Sequence, residues 1–514
     1  MKNLSDIVNV SISIEEPLVD STSFDHMLIV GPEPEGWSEY SDEELNKKDS
    51  LFVCSSAIEL TERDSLFAKT DEKFGDPIGI AGRVAFSQDP KPDRVYFAVN
   101  KKLPATIKDC EVIVVNSADD LPEALKNTDV KIEGTPWVIG SLVFNDKTEA
   151  KKRTTHFVLS KGVGEFDDEN TVSVEADGVN YVCVPVGADC EGSYTIRVED
   201  TVYSSEDKSD ANIVNKTNCS VSFDIDSEGN LDKNSYSRKY EYSYEPIEDT
   251  LNRALLTNGW YVVCPAYTDE DTLERIGSWV DAQTKMCAFP VFDIPANDEE
   301  TLCAKSLRCF GIFAKQNSEQ KLEDVPVDNK YIHVAWAAKC LNFHAGSETW
   351  ALKTLVGIQP ASLSSTMMRK IEDAKLSYYT TCADRDITCG GMTTYGEWID
   401  VIRFRDWLQN DMQKAIFSLL LKNPKVPYTD KGIALVKSEM IASLKRGQQN
   451  GGIADTEYDN DDNEIPGFVV TVPKAANIPD SEKKSRKLKD CKFRARLAGA
   501  IHVVDIRGTL AYSI

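Results

Sequence analysis

Two clusters hold the residue types that proton transfer uses: Asp384-Arg385-Asp386 and Asp400…Arg403…Arg405-Asp406. A carboxylate beside a guanidinium can move protons once burial shifts its pKa. The same pattern is also that of ion pairs on a surface or between helices, and this plainer reading is preferred. Other chemistries leave clearer traces. The five histidines are His26, His156, His333, His344 and His502, and no two are close enough in sequence to form a ligand pair. His333 and His502 fall inside expected strands and read as core or edge residues. There is no glycine-rich phosphate loop, no H-E-x-x-H, no G-x-S-x-G and no C-x-x-C pair with zinc spacing. The acidic stretch 455–464 loosely echoes a calcium loop but has Asn460 where the sixth-position glycine belongs. The residues therefore point to no catalytic group, no cofactor and no metal, and weigh against an enzyme.

Composition narrows the class. A chain of 514 residues, 41% hydrophobic and 9% aromatic, is long enough for two to four globular domains. No apolar run approaches the roughly 20 residues of a membrane span. The first residues, Met1-Lys2-Asn3-Leu4-Ser5-Asp6, lack an apolar signal region, so synthesis and assembly in a cytosol are expected. The 13 cysteines are scattered and read as reduced core residues. A net charge of −26 argues against nucleic acid and anionic membranes as partners. That charge is uneven: residues 1–375 carry −28 and residues 376–514 carry +2. The near-neutral end is expected to be buried against something.

Periodicity divides the chain. Val8, Val10, Ile12 and Ile14 alternate with polar residues as a short strand ahead of a polar linker, so residues 1–25 read as an extended arm. Residues 26–129 and 246–375 alternate strands with helices, the pattern of a largely parallel sheet covered on both faces. Helices are expected over 268–283 and 297–314, and strands at 95–99, 260–264, 286–294 and 331–338. Residues 130–245 are strand-rich, acidic and turn-punctuated, and read as an inserted, outermost β domain. In residues 376–505, Thr394 and Glu397 stand at capping-box spacing before a long amphipathic helix that Pro424 ends. A second helix, capped by Thr429, follows, and then strands at 467–472, 492–497 and 500–506. Ile506, Gly508, Leu510, Tyr512 and Ile514 alternate again, so 506–514 is a second arm. Strand-like segments at both ends suit pairing with the sheets of other subunits.

Three stretches carry a resemblance. Glu397–Leu408 with Lys422–Ile433, Ser87–Tyr96, and Phe468–Pro473 with Phe493–His502 and Ile506–Leu510 resemble contractile tail sheath proteins of myovirus-type bacteriophages and R-type bacteriocins. The resemblance reaches from near residue 26 to the end and leaves 130–245 uncovered. It implies an α/β multidomain fold: a core sheet with helices on both faces, an inserted β-rich outer domain, and a C-terminal α+β domain whose sheet is extended by strands from neighbouring subunits. It implies a homo-oligomeric helical sheath of stacked rings around an inner tail tube protein, with baseplate and tail terminator proteins as further partners. Nucleic-acid binding and membrane insertion are not implied. Residues 8–14 and 506–514 become inter-subunit arms, and Lys483, Lys484, Arg486 and Lys487 become candidates to face the tube. A cytosolic α/β enzyme with a β insert is the alternative. A bacteriocin sheath and a phage sheath cannot be separated, since the two share the subunit.

Overall fold

The computed structural model describes residues 23–34, 37, 49–69, 75–103, 106–126, 136–506 and 508, apart from gaps at 146–147, 149, 163, 166–171, 177, 187–188, 210–211, 258 and 298. Val8, Val10, Ile12, Ile14, Leu510, Tyr512 and Ile514 lie outside the described residues. The chain forms two compact units, residues 1–100 with 246–514 and Lys101–Glu245.

The first unit is built on six strands: β1 (Met27–Pro32), β2 (Leu51–Cys54), β3 (Val95–Asn100), β4 (Val262–Pro265), β5 (Met286–Val291) and β6 (Cys309–Phe313). Their order is β6-β5-β4-β1-β3-β2. All neighbours are parallel except β2, which closes one edge antiparallel to β3. Each strand is apolar on both sides because each face is covered. On one face Met27, Ile29, Phe97, Val262 and Ile312 pack against α2 (Pro77–Phe86) and α5 (Ile332–Leu341). On the other, Leu28, Val30, Val263 and Phe289 pack against α3 (Ile247–Leu255) and α4 (Glu270–Asp281). The short helices α1 (Ala57–Arg63) and α6 (Ser365–Asp373) complete the layers, and an antiparallel hairpin, β7 (Tyr378–Cys382) and β8 (Arg385–Cys389), follows α6.

Two expected elements of the α/β core differ, and the strand expected over 500–506 does not form within the described chain. Residues 331–338 form most of helix α5, not a strand. Every residue from His333 to Ala338 is buried, and a helix buried all round has no polar stripe to betray its period. Trp336 sits at its centre, edge-on to Trp350 at 5.3 Å and to Phe310 at 5.5 Å. Residues 297–314 form no helix. The Asn297 side chain accepts from the amides of Glu299 and Glu300 and turns the chain at once. Cys303 and Lys305 then adopt left-handed conformations (φ 53° and 58°) that no helix admits, before β6 begins.

The second unit is a two-sheet sandwich. Strands Ile107–Val115, Trp137–Phe144, Val179–Pro185 and Val172–Ala176 form one antiparallel sheet in that order. Strands Leu231–Tyr242, Ile213–Ile225, Gly192–Tyr203, Arg153–Lys161 and Gly164–Glu165 form the other. Val112, Val138 and Leu142 of the first face Leu159, Ile196 and Val221 of the second in one core. The sheets meet so closely at Gly140 that a Cβ there would lie 2.7 Å from the Phe157 ring. This unit starts ahead of residue 130, because 107–115 pairs with 137–144.

Helix α2 shows how local chemistry sets an element. Asp76 accepts from the Gly79 amide at 2.7 Å as N-cap, and Pro77 pre-sets the first turn. The other oxygen of Asp76 is buried without a hydrogen-bond partner, and burial pushes the carboxyl up to about 7. In the unfolded chain the value is about 4. A raised carboxyl stabilises the fold fully below about pH 4 and loses that contribution as pH rises to about 7. Asp76→Asn keeps the capping acceptor and should flatten this fall, as read by urea unfolding across pH 4 to 7. An unchanged slope would remove Asp76 as its source.

Candidate assembly surfaces

The C-terminal part of the first unit is organised on α7 (Ile399–Lys422), 24 residues and about 36 Å long. Its N-terminal end belongs to the α/β core, where Ile399 and Ile402 are buried against the sheet layer. Further along, Phe404, Leu408 and Met412 turn to Met440 and Leu444 of α8 (Asp430–Gln449) in a separate cluster. Thr429 caps α8 by accepting from the Gly432 amide. The start of α7 departs from expectation. Thr394 is not its cap: its hydroxyl donates to the Cys303 carbonyl at 2.6 Å and accepts from the Ser306 amide. Trp398 is the N-cap residue, and its side chain makes no capping bond.

Arg403, Arg405 and Asp406 are buried and Asp400 is half-buried, so this cluster lies neither on a surface nor between helices. Arg403 has no exposed side-chain surface; it donates to Glu348 at 2.5 Å, Asp25 at 2.7 Å and the carbonyls of Phe24 and Phe343. Burial works against its charge, but Glu348 and Asp25 outweigh it and raise its pKa. Asp406, also buried, accepts from Arg308, Arg405 and the Tyr261 hydroxyl. Asp400 is pushed up to about 6 by burial and then by the Glu348 charge. Nothing in the sequence near Asp25, Tyr261, Arg308 or Glu348 announces these partnerships, because each is made across the fold. The network fixes α7 to the sheet. A cleft lined by Glu248, Asp271, Glu274 and Arg275 does not include these residues. Among the described residues no group of His, Cys, Asp or Glu side chains is placed to hold a metal, and no helix is long and apolar enough to cross a membrane. His333 lies in α5, and its ring nitrogen Nε2 meets the Pro265 carbonyl at 2.8 Å. Burial pushes its pKa down to about 3, so the ring stays neutral.

Beyond α8, strands β11 (Phe468–Thr471) and β12 (Lys492–Ala495) form a two-stranded antiparallel sheet. An acidic hairpin, β9 (Glu457–Tyr458) and β10 (Glu464–Ile465), precedes it. One face of the β11–β12 sheet lays Val470, Phe493 and Ala495 on the α7–α8 pair, and each strand pairs only with the other among described residues. The chain then runs out as an extended segment through residues 499–506. There Ile501, Val503, Val504 and Ile506 are 79%, 86%, 70% and 84% exposed. A Cβ at Gly508 would meet nothing within 4 Å. The basic candidates sit on and after the short helix α9 (Asp480–Ser485): Lys484, Arg486 and Lys487 are exposed, and Lys483 pairs with Asp480 at 3.6 Å. Arg486 ends α9 in a left-handed conformation, φ 57°.

Residues 399–510 match the family model described as "E217 tail sheath protein gp31-like, C-terminal domain". That model describes a tail sheath domain, and the resemblance read from the sequence is to the same family. In overall fold the chain is similar to the sheath of an extracellular contractile injection system, PVC, in its contracted state, at 10% identity over 98% of both chains and a TM-score of 0.48. It is also similar to a chain of the anti-feeding prophage baseplate, at 14% identity over 53% of this chain and 76% of that one, with a TM-score of 0.39. No curated protein matches the sequence.

Buried and exposed ion pairs of α7 should behave differently. Asp406→Ala would leave Arg308 and Arg405 buried without their carboxylate, at a cost of about 3–5 kcal/mol. Asp411→Ala breaks a part-exposed pair with Arg446 and should cost about 1 kcal/mol or less. Denaturant unfolding of the two variants checks the ordering.

Proposed function

We propose that this protein is the structural subunit of a contractile tail sheath. It polymerises helically around an inner tube and rearranges to drive that tube through a target envelope. The observation that carries this reading is the match of residues 399–510 to a tail sheath domain. The exposed apolar segment 499–506 supports it. Fully burying Ile501, Val503, Val504 and Ile506 is worth about 1.5–3 kcal/mol each. Ordering the backbone costs about 1–2 kcal/mol per residue, so burial alone does not hold such a segment in place. Main-chain hydrogen bonds to another subunit's sheet edge supply the remainder.

In this reading residues 8–14 and 506–514 add strands to neighbouring copies, and the β11–β12 sheet offers the edges they join. Repeated head-to-tail contacts of this kind build an open helix when the rotation does not close. Contraction draws on subunit surface that is buried only in the shorter state, a choice between two packings without nucleotide hydrolysis. Lys483, Lys484, Arg486 and Lys487 face the tube, while baseplate and tail terminator proteins bound the polymer. The particle is a virion tail or a bacteriocin, assembled in the bacterial host cytoplasm.

Deleting residues 1–14 or 506–514 should leave a folded monomer that no longer polymerises, seen by negative-stain microscopy and sedimentation. Ordinary sheaths from either truncation would end the arm assignment. Charge reversal at Lys484 and Lys487 should leave tube-free polymers intact and abolish co-assembly with the tube protein. Normal loading on the tube would place these residues elsewhere.

A further inference from the structure

Residues 24–26 and His502, close to the two ends of the described chain, are held at one place in the first unit. On the N-terminal side, Arg403 of α7 holds the Phe24 carbonyl at 3.0 Å and the Asp25 carboxylate at 2.7 Å. Phe24 is buried against the Tyr261 ring at 5.0 Å. His26 adds bonds to Asp93 at 3.0 Å and to the Gly259 carbonyl at 3.2 Å. On the C-terminal side, His502 is the one partly buried residue in an exposed run. Its Nε2 meets the Thr349 hydroxyl at 2.8 Å, and its ring stands edge-on to Trp398 at 4.8 Å.

These two anchorages share their foundations. Trp398 and Arg403 are five residues apart, about 7.5 Å along α7. Glu348 and Thr349 are consecutive: Glu348 takes Arg403 at 2.5 Å, and Thr349 takes His502. With Asp25 held on Arg403, the contacts close a ring from Arg403 through Glu348, Thr349, His502 and Trp398 back along α7. We propose that the first two turns of α7, with residues 348–349, form a joint that holds the roots of both outgoing segments, so that a displacement of one root is transmitted to the other. The joint is a property of the single chain. Its use, passing strain from one neighbour to another during contraction, rests on the assembly reading above. Coupling of this kind is read by a measurement at both roots.

The chain supplies its own reporters, since two of its five histidines lie at these roots. Histidine-selective NMR of the full-length protein would follow His26 and His502, with buried His333 reporting an intact core. Asp25→Asn weakens the N-terminal anchorage at a half-exposed carboxylate, and Thr349→Val removes the C-terminal hydroxyl at nearly constant shape. Asp25→Asn is expected to displace the His502 resonance, and Thr349→Val the His26 resonance, with His333 unmoved in both. If each variant moves only the histidine at its own root, the joint is overturned. Should one variant fail to fold, the other still decides, because the transmission is reciprocal. Coupled reporters in a chain that never polymerises would overturn the assembly reading and keep the joint. Uncoupled reporters in a chain that forms normal sheaths would do the reverse.

Discussion

The charged side chains in the first two turns of α7 carry a requirement that the rest of the C-terminal region obeys. Arg403 and Asp406 are removed from water and have to be met by partners of opposite charge with good geometry. Those partners, Glu348, Arg308, Tyr261 and Asp25, come from distant parts of the first unit. Apolar contact would let a helix slide or rotate by small amounts at little cost. A buried guanidinium with several fixed acceptors does not allow this, since any shift strands a charge. The helix therefore enters the core in one register, and everything built on its outer half inherits that register.

Its outer half has different neighbours. From Phe404 onward, α7 packs with α8 and the β11–β12 sheet in a cluster of its own. Arg446 and Asp411 link the two helices at a part-exposed position where little energy is at stake. One helix thus joins a stiff inner body to a lighter outer assembly, with the polar network at the boundary. The α/β core behaves as a foundation, and the edges of the β11–β12 sheet and the basic turn after α9 are carried on the outer part.

Much of this was legible in the residues, and the exceptions have physical reasons. Helices α4 and α8 each bury one face and expose the other, so their periods read cleanly, and α7 keeps a legible apolar stripe although its first turns are enclosed. The strands of the second unit alternate for the same reason. Helix α5 was misread as a strand because it is enclosed on every side. The helix expected over 297–314 failed on two left-handed residues and an Asn turn that only the assembled sheet selects. Thr394 and Glu397 have capping-box spacing, but tertiary bonds to Cys303 and Ser306 claimed the threonine first. The acidic and basic residues at 400–406 were visible as a cluster. Their burial was not, because apart from the neighbouring Arg405–Asp406 pair the partners lie from 55 to 379 residues away in sequence.

The second unit enters after Asn100 and ends before Pro246, and its two ends lie side by side, the Glu245 amide donating to the Lys101 carbonyl at 2.9 Å. The Asn100 side chain donates to the Thr250 hydroxyl at 3.0 Å, tying the end of β3 to α3 across the break. The sheet therefore closes over the gap with its own contacts. Loop closure costs grow only slowly with length, so the core is nearly indifferent to what is threaded between those points. In evolutionary terms the position is a socket. A folded domain of another length could be threaded there without disturbing the contacts of the core sheet or of α7.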